Sequence, residues 1–414
     1  MIVNPGSARL RARTVAIPDP GPLEMYLPRE HGSAFVRRGD GIIGIGEVAR
    51  FATDSLDAAD IWWSEFAGTI EHETELYGQY GTGPIAFGSF AFDPDRSAEP
   101  SVLVVPEWTI GRREGHCWCT RLGYGNLPDE MPERQPAPMS PGEVSWSDGS
   151  MSGVDWELMV AEAVRLLNGG EVDKIVLARD LIARAAGPID PRWLVERLST
   201  SYPSTYTFLV DGLVGATPEM LVRRRGGLAT SRVLAGTIRR GTGDENTRLA
   251  EALRSSSKNQ REHEFAVASV AESLAPFCSG MNVPEQPSIL ELPNVLHLAT
   301  DITGVVNDDV TSLGLAAAVH PSAAVCGTPT HVALDLINEL ENLDRGRYAG
   351  PVGWIDAAGD GEWALALRSG QIHAATPEEI QIFAGAGIVA DSSPHEELAE
   401  TIAKFRPMRD ALSG

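Results

Sequence analysis

The chain has 414 residues, of which 43% are hydrophobic and 22% are charged, so it is long enough to bury a large core. Its formal net charge of -23 argues against a nucleic-acid or membrane-surface role, because an acidic surface repels phosphate and anionic lipid. The N-terminus lacks the apolar run of a secretory signal, and no stretch of about 18 apolar residues indicates a membrane span, so the cytoplasm is the expected location.

The first 150 residues contain short apolar runs separated by turn residues, which predict strands. These runs are GIIGIGEVARF (41–51), PIAFGSFAF (84–92), SVLVVPEWTIG (101–111) and HCWCTRLGY (116–124). Cys117 and Cys119 in the last run are expected to alternate along a strand, since no second cluster of ligands completes a zinc site. With Cys278 and Cys326 they make four cysteines, too few for a disulfide framework in so long a chain.

A polar, proline-rich segment at 126–152 is expected to be a connector between residues 1–152 and residues 153–411. Helical spacing at 154–168 then ends at Gly169-Gly170. Further strands are predicted at KIVLARDLIAR, TYTFLVDGLVGA, EMLVRRRGG, GPVGWID, EWALALRS and EIQIFAGAGIV, and further helices at 259–276, at 330–341 and from Pro394. Because strands outnumber helices and often follow one another directly, the pattern favours an α+β fold over a doubly wound sheet.

The final helix is predicted to begin at a capping box, Ser393 to Glu396, with Pro394 in the first helical position. Glu397 and Glu400 then share one face, and Lys404 follows a turn later.

On the helix at 259–276, Glu262 precedes an apolar stripe of Phe265, Ala266, Val270 and Leu274. Carboxylates converging from two helices would suit Mg²⁺. The alternative interpretation of the same spacing is two solvated helix faces.

Other single residues suggest chemistry, each beside an ordinary structural interpretation. Lys174 opens a buried strand and could act as a general base, or it could simply reach solvent. Glu219 lies among apolar neighbours that could keep it protonated, as a general acid requires. Arg368 could bind a carboxylate through two hydrogen bonds. His297 lies among apolar residues, as a core histidine with hydrogen-bonded ring nitrogens commonly does. Gly385 and Gly387 could bring backbone N–H groups close to an anion, or mark a bend.

Taken together, these segments resemble the chorismate-utilising enzymes, which include isochorismate, anthranilate, aminodeoxychorismate and salicylate synthases. The ten matching segments, in family order, are KIVLAR (174–179), GATPEML (215–221), LAGTIRRG (234–241), KNQREHE (258–264), LHLATDITG (296–304), HPSAAVCGTP (320–329), DRGRYAGPVGW (344–354), GDGEWALALRS (359–369), AGAGIVADSSP (384–394) and EELAETIAKF (396–405).

The resemblance implies a single α+β domain, a two-subdomain antiparallel β-sandwich with helices on the outside and the active site between the subdomains. In it, residues 1–152 would form the N-terminal part of the sandwich and residues 153–411 the chorismate-binding catalytic part.

The resemblance also implies Mg²⁺ held by Glu262 and Glu400, with Glu397 nearby or bridging through water. Such a metal would supply the positive charge that an anionic substrate needs on an acidic protein. Glu219 would protonate the hydroxyl leaving C4 of chorismate, and Lys174 would activate the water that attacks C2. The substrate would be held by Gly236, Thr237, His297, Ala324, Tyr348, Arg368, Gly385, Gly387 and Lys404.

Within the family, Lys174 argues against the ammonia-using branches, which carry Gln there, so no glutamine amidotransferase partner is expected. Ala235 stands where aminodeoxychorismate synthases place a lysine nucleophile. Ala324 replaces the Thr common in salicylate synthases, and Asn259 replaces the Glu of the anthranilate and salicylate branches. The resemblance therefore implies a monomeric isomerase of the isochorismate synthase branch, for menaquinone, siderophore or specialised metabolism. The alternatives are a salicylate synthase, which also expels pyruvate, and a silent chorismate-binding protein.

Overall fold

The structure is a computed structural model that describes residues 9–127, 130–241, 243, 245–291 and 295–413, without the side chains at positions 237, 239, 258 and 262. Strands and helices are numbered here in chain order.

One sheet contains thirteen strands within the described residues. Its strands, in spatial order, are β10 (Val144–Asp148), β11 (Lys174–Ala185), β23 (Glu379–Ile388), β22 (Ser369–Gln371), β13 (Leu213–Thr217), β12 (Tyr206–Val210), β2 (Gly32–Arg37), β3 (Asp40–Ile45), β8 (Trp108–Arg113), β9 (His116–Tyr124), β1 (Leu10–Ala16) and β5 (Glu71–Thr74), with β19 (Gly327–Thr328) on β11. All pairings are antiparallel except that of β1 with β5.

The other sheet contains ten strands in the part of the chain that is described, and all of them pair antiparallel. In spatial order they are β16 (Cys278–Asn282), β18 (Val295–Val306), β15 (Leu228–Arg239), β14 (Met220–Arg225), β21 (Gly361–Leu365), β20 (Pro351–Asp356), β6 (Ile85–Ser89), β7 (Ser101–Val105) and β4 (Ala49–Thr53), with β17 (Ser288–Glu291) on β18.

Eight α-helices lie within the described residues, together with 3-10 turns at Leu23–Tyr26 and Ala275–Phe277. The α-helices are α1 (Leu56–Gly68), α2 (Gly153–Leu167), α3 (Pro191–Ser201), α4 (Glu245–Ser255), α5 (Ser257–Leu274), α6 (Ser312–Val319), α7 (Thr330–Leu340) and α8 (Pro394–Ser413). None of these is long and apolar enough to cross a membrane.

The two sheets pack face to face through a core of large side chains, in which Phe208 and Trp118 from the first sheet meet Phe87 and Trp354 from the second. A second cluster covers the outer face of the first sheet with α3 and α8, and the largest cluster joins α1, α2, α5, α6 and α7 to the strands. Each helix of these clusters buries one stripe of apolar residues, which places the helices outside the sandwich.

This architecture confirms the predicted α+β sandwich of two antiparallel sheets with external helices. The predicted helices at 154–168, 259–276 and 330–341 correspond to α2, α5 and α7, and α8 begins at Pro394 as expected. Cys117 and Cys119 lie buried in β9, and all four cysteines are free thiols. The division at residue 152 stays a prediction.

Several details of the sequence interpretation were wrong. TYTFLVDGLVGA is not one strand, because it forms the hairpin of β12 and β13 with its turn at Asp211-Gly212. The segment 126–152 is not only a connector, because it contains β10, which pairs with β11. Phe265 is 56% exposed and does not belong to the buried stripe of α5, because it points roughly 100° from Ala266 and roughly 140° from Val270 around the helix axis. EWALALRS is not one strand: β21 ends at Leu365, where a tight turn closed by the Leu367 N–H and the Leu365 carbonyl (2.7 Å) interrupts the ladder.

Candidate active site

Lys174 is the first residue of β11 and is half-buried beside Gly387 of the neighbouring strand β23. A Cβ atom at position 387 would lie 2.9 Å from the Lys174 Cε, so glycine makes room for the lysine side chain. A Cβ atom at Gly385 would lie 2.7 Å from the Leu177 carbonyl oxygen and 3.2 Å from the Tyr348 hydroxyl. Both glycines therefore allow a close approach that a larger residue would block.

The backbone groups of these glycines point away from β11. Val176 N–H donates to the Cys326 carbonyl (2.8 Å) and Ala178 N–H donates to the Glu341 carboxylate (2.7 Å), both on the side opposite β23. Their partners in the register are Gly387 and Gly385, so these form the non-hydrogen-bonded pairs of the ladder. The N–H and C=O groups of both glycines consequently face the other side of β23.

Glu219 lies between β13 and β14, where its backbone is fixed at both ends. Its N–H donates to the Thr217 hydroxyl (3.2 Å), and its carbonyl accepts from the Leu365 N–H (3.1 Å). Burial raises the pKa of the Glu219 carboxyl to about 7. Three cations act in the opposite direction, namely Lys174, Arg368 and Lys404. Glu219 thus keeps a proton near neutrality although positive charges surround it.

Helix α8 brings a carboxylate and an ammonium group to the same region. Lys404 Nζ lies 2.5 Å from Glu400 Oε1 and donates to the Gly385 carbonyl (2.8 Å). Burial would raise the pKa of Glu400, but Lys404 and, further away, Arg368 outweigh it, and the pKa is lowered. Burial lowers the pKa of Lys404 against the opposing effect of Glu400. Glu397 is half-buried one turn before Glu400.

Arg368 and Tyr348 provide a half-buried cation and a buried hydroxyl. Arg368 lies between β21 and β22 with φ of 51°, a left-handed conformation that is uncommon outside glycine. Burial lowers the pKa of its guanidinium, while Tyr348 raises it. The Tyr348 ring stacks on Phe383 with centroids 5.1 Å apart, and burial raises the pKa of its hydroxyl to about 12. The hydroxyl therefore stays protonated and can donate to an anion.

His297 lies in β18 opposite Thr237 of β15. Burial, together with the charges of Arg368 and Lys404, lowers its pKa to about 4, so the imidazole is neutral at ordinary pH. Gly236 is buried at a bulge in β15 and approaches Asn259 in the first turn of α5.

Ala324 lies in the segment between α6 and β19, half-buried at the edge of a small cavity. This cavity of about 20 Å³ is lined by both Ala324 and Glu219, and it has room for about one water molecule. Ala324 and Glu219 are the only predicted site residues among the described residues that line this cavity.

Most of the predicted site residues thus come together. Electrostatic interactions, which do not require direct contact, link six of them: Lys174, Glu219, His297, Arg368, Glu400 and Lys404. Direct packing adds Gly385, Gly387 and Tyr348.

Thr237 in β15 and Glu262 in α5 belong to described backbone, but their side chains lie outside the described residues. Among the side chains that are described, no group of three His, Cys, Asp or Glu could hold a metal ion, and Glu262 is not among them. A metal site formed by Glu262, Glu397 and Glu400 therefore stays a prediction.

Sequence reasoning missed Arg345 and Glu341, which form a buried ion pair beside β11. Glu341 is the C-cap of α7 and Arg345 is the second residue of DRGRYAG. Residues 341–345 are not helical, so no regular spacing signalled the pair.

Comparison with known proteins identifies the family of this chain. Residues 28–413 match the description "Chorismate binding enzyme". The chain belongs to the chorismate binding enzyme family. Among chorismate binding enzymes similar to it is isochorismate synthase MenF of Bacillus subtilis, which is 31% identical over 90% of this chain and 85% of that protein.

Two solved structures share the fold. DhbC of Bacillus anthracis, assigned as a 2,3-dihydroxybenzoate-specific isochorismate synthase, superposes with a TM-score of 0.77 at 31% identity, covering 94% of this chain and 98% of that one. MenF of Escherichia coli, described as the menaquinone-specific isochorismate synthase, gives a TM-score of 0.81 at 24% identity, covering 98% and 95%. Membership of this family of chorismate binding enzymes is consistent with a requirement for a divalent metal.

Proposed function

We propose that the chain is an isomerase that converts chorismate to isochorismate. The observation that carries this proposal is the Glu219 carboxyl, whose pKa burial raises to about 7, in the same cluster as the Lys174 amine. A reaction that expels hydroxide needs a proton donor at neutral pH, and one that adds water needs a base. The similar proteins named isochorismate synthase support the same conclusion.

In the proposed reaction, water adds at C2, the ring double bonds shift, and the C4 hydroxyl leaves. Lys174 takes one proton from the attacking water, and Glu219 gives one proton to the leaving hydroxyl, which departs as water. One water enters and one leaves, so the product is an isomer and no oxidant or reductant is needed.

The substrate anions would be held by groups that the fold keeps in place. Arg368 and the Tyr348 hydroxyl would bind the enolpyruvyl carboxylate, since a guanidinium and a protonated phenol both donate to carboxylates. The N–H groups of Gly385 and Gly387 face away from β11 and would donate to the substrate, with Lys404 as an added cation. Gly236, Thr237 and His297 would line the ring.

Glu262, Glu397 and Glu400 would hold Mg²⁺. Carboxylate oxygens are the ligands that this hard cation prefers, and the lowered pKa of Glu400 keeps that carboxylate ionised. Bound Mg²⁺ would offset the negative charge of the ring carboxylate of chorismate. We further propose that the enzyme works as a cytoplasmic monomer without a glutamine amidotransferase.

The test is to incubate the protein with chorismate and Mg²⁺ and to identify the products by NMR. We expect isochorismate alone from the wild type and none from Lys174→Ala, while chorismate binding measured by calorimetry persists in the variant. Salicylate with pyruvate would instead identify a salicylate synthase, and unchanged chorismate would identify a binding protein. Near-normal turnover in Lys174→Ala would remove the base from the mechanism.

A further inference from the structure

Arg345 and Glu341 form an ion pair inside the protein, next to the candidate active site. The two side chains are only 4% and 2% exposed, and two N–H groups of the guanidinium meet both carboxylate oxygens at 2.8 and 2.5 Å. The guanidinium also lies 4.2 Å above the Phe92 ring. Burying a charged pair costs solvation, and such a pair often adds less stability than apolar packing would. The hydrogen bonds of this pair to the backbone indicate a role other than stabilisation.

The pair takes the place of a strand along the edge of β11. At the start of β11, the short strand β19 supplies ordinary ladder bonds, which end with Val176 N–H donating to the Cys326 carbonyl at 2.8 Å. Arg345 Nη2 then donates to the Val176 carbonyl (2.7 Å), and Glu341 Oε1 accepts from the Ala178 N–H (2.7 Å). Donor and acceptor alternate as they would on a neighbouring strand, so the ion pair continues the ladder with side chains.

The side chains of the same two residues hold two other segments of the chain. The bonds to Val176 and Ala178 hold β11, which begins at Lys174. Arg345 Nη1 donates to the Val325 carbonyl (3.0 Å), directly after Ala324.

We propose that the Arg345–Glu341 pair is a positioning device, which sets Lys174 and Ala324 at their working distances through the backbone. The assignment rests on the proposed function, because those two residues are placed there around chorismate. Neither Arg345 nor Glu341 is among the proposed substrate contacts. A misplacement of about 1 Å in a catalytic group can cost about a hundredfold in rate, so such a device has a measurable effect on turnover.

Arg347 offers a matched control two residues further along. It is as deeply buried, pairs with Asp211 at 2.8 Å, and donates to the Pro100 carbonyl at 2.9 Å. Its partners lie in segments that carry none of the candidate site residues. Lysine can keep one bond to a carboxylate, but it lacks the planar fork that reaches several acceptors at once. Arg345→Lys and Arg347→Lys therefore remove comparable buried contacts. Only the contacts of Arg345 are made to segments that carry candidate site residues.

The experiment compares Arg345→Lys with Arg347→Lys at a temperature where thermal melting shows both to be folded. We expect Arg345→Lys to lower kcat and raise KM for chorismate, with a loss in kcat/KM of about tenfold or more, and Arg347→Lys to stay within about threefold of wild type. Equal losses in the two variants would mean that the pair has only a structural role and would overturn the proposal. If Arg345→Lys does not fold, Glu341→Gln is compared with Asp211→Asn by the same criterion.

Hydrogen exchange measured by mass spectrometry gives a readout that does not depend on activity. Peptides covering 174–178 should exchange faster in Arg345→Lys than in Arg347→Lys, because the Ala178 amide loses its fixed acceptor. Unchanged exchange there would contradict the ladder contact even if turnover fell. If the wild type made no isochorismate, the proposed function would fail, and the exchange data would still decide whether the pair holds β11.

Discussion

At the scale of single residues, burial of the Glu219 carboxyl gives it the proton that a general acid needs. Its pKa is raised to about 7 because the surrounding protein removes water from it, and this effect exceeds the attraction of three cations for the ionised form. A general acid is active only while it holds its proton. Activity that depends on Glu219 is therefore present below the raised pKa and is lost as the pH rises through it.

We predict that kcat/KM for chorismate falls above about pH 7, approaching tenfold per pH unit, since this parameter reports the free enzyme. Glu219→Gln should lose about 10²–10⁴-fold in rate, because an amide cannot give up the proton, and its residual activity should lack this fall. Steady-state rates across the neutral range measure both. The exposed Glu396→Gln is the control, and a fall that persists in Glu219→Gln would point to another donor.

The sequence could indicate such residues but not all of their conformations. The motif GATPEML drew attention to Glu219, and its apolar neighbours suggested a retained proton. No pattern indicated that Arg368 adopts a left-handed backbone, because most side chains avoid φ near 51° and only the turn after β21 imposes it. The interaction of Lys404 with the Gly385 carbonyl likewise depends on how α8 packs on β23.

At the scale of elements, α8 is where sequence and structure agree most closely. It begins at Pro394, as the capping pattern predicted, and the i, i+3 spacing places Glu397 and Glu400 on one face. By contrast, β10 was missed because its five residues lie in a segment dominated by proline and polar residues. Helix α1 was missed although Ser55 caps it and Ala59 and Trp63 show helical spacing, since strand signals surround it.

We predict that Glu400→Gln raises the Mg²⁺ concentration needed for half-maximal activity by about tenfold or more, as loss of even a supporting group does in metal sites. A neutral amide oxygen is a poorer ligand for a hard divalent ion than a carboxylate. The control is Glu396→Gln, an exposed residue about one turn earlier in the same helix. Calorimetric titration with Mg²⁺ provides a second readout. The same Mg²⁺ requirement in both variants would exclude Glu400 as a ligand.

At the scale of the whole molecule, the sandwich follows from residues with apolar side chains on both faces of many strands. Strands such as β6 and β12 are buried throughout, because one face meets the opposing sheet and the other meets helices or strand ends. The sequence predicted this class of fold from consecutive strands. It could not predict the strand order, in which β2 pairs with β12 and β6 pairs with β20, because these partners are far apart in sequence.

The partial burial of one histidine makes stability depend on pH. His320 is half-buried after α6, and its Nε2 lies 3.0 Å from the Phe92 carbonyl. Burial lowers the pKa of His320 from 6.5 to about 4. The unfolded chain therefore takes up the proton first, and stability is lost as the pH falls from about 6.5 to about 4, by about 3 kcal/mol in all.

We predict that His320→Gln loses less unfolding free energy than the wild type over that pH interval, because glutamine keeps a donor for Phe92 and does not titrate. Urea denaturation at both ends of the interval measures the difference between the two proteins. The change in unfolding free energy must be compared between the variant and the wild type. The raised pKa values of Asp356 and Glu219 increase the stability of both proteins as the pH falls, which opposes the effect of His320. Exposed His116→Gln is the control, and an equal change in that variant would refute the assignment.

The pairing of β6 with β20 has a consequence for synthesis on the ribosome. β6 ends at Ser89, whereas β20 begins at Pro351, so the nascent chain carries an open sheet edge while more than two hundred further residues are translated. At ordinary elongation rates this interval lasts roughly tens of seconds. Throughout it, a row of unsatisfied backbone donors and acceptors is available to other chains. Cells that make this protein quickly should therefore depend on ribosome-associated chaperones to keep early strands apart until the late ones emerge.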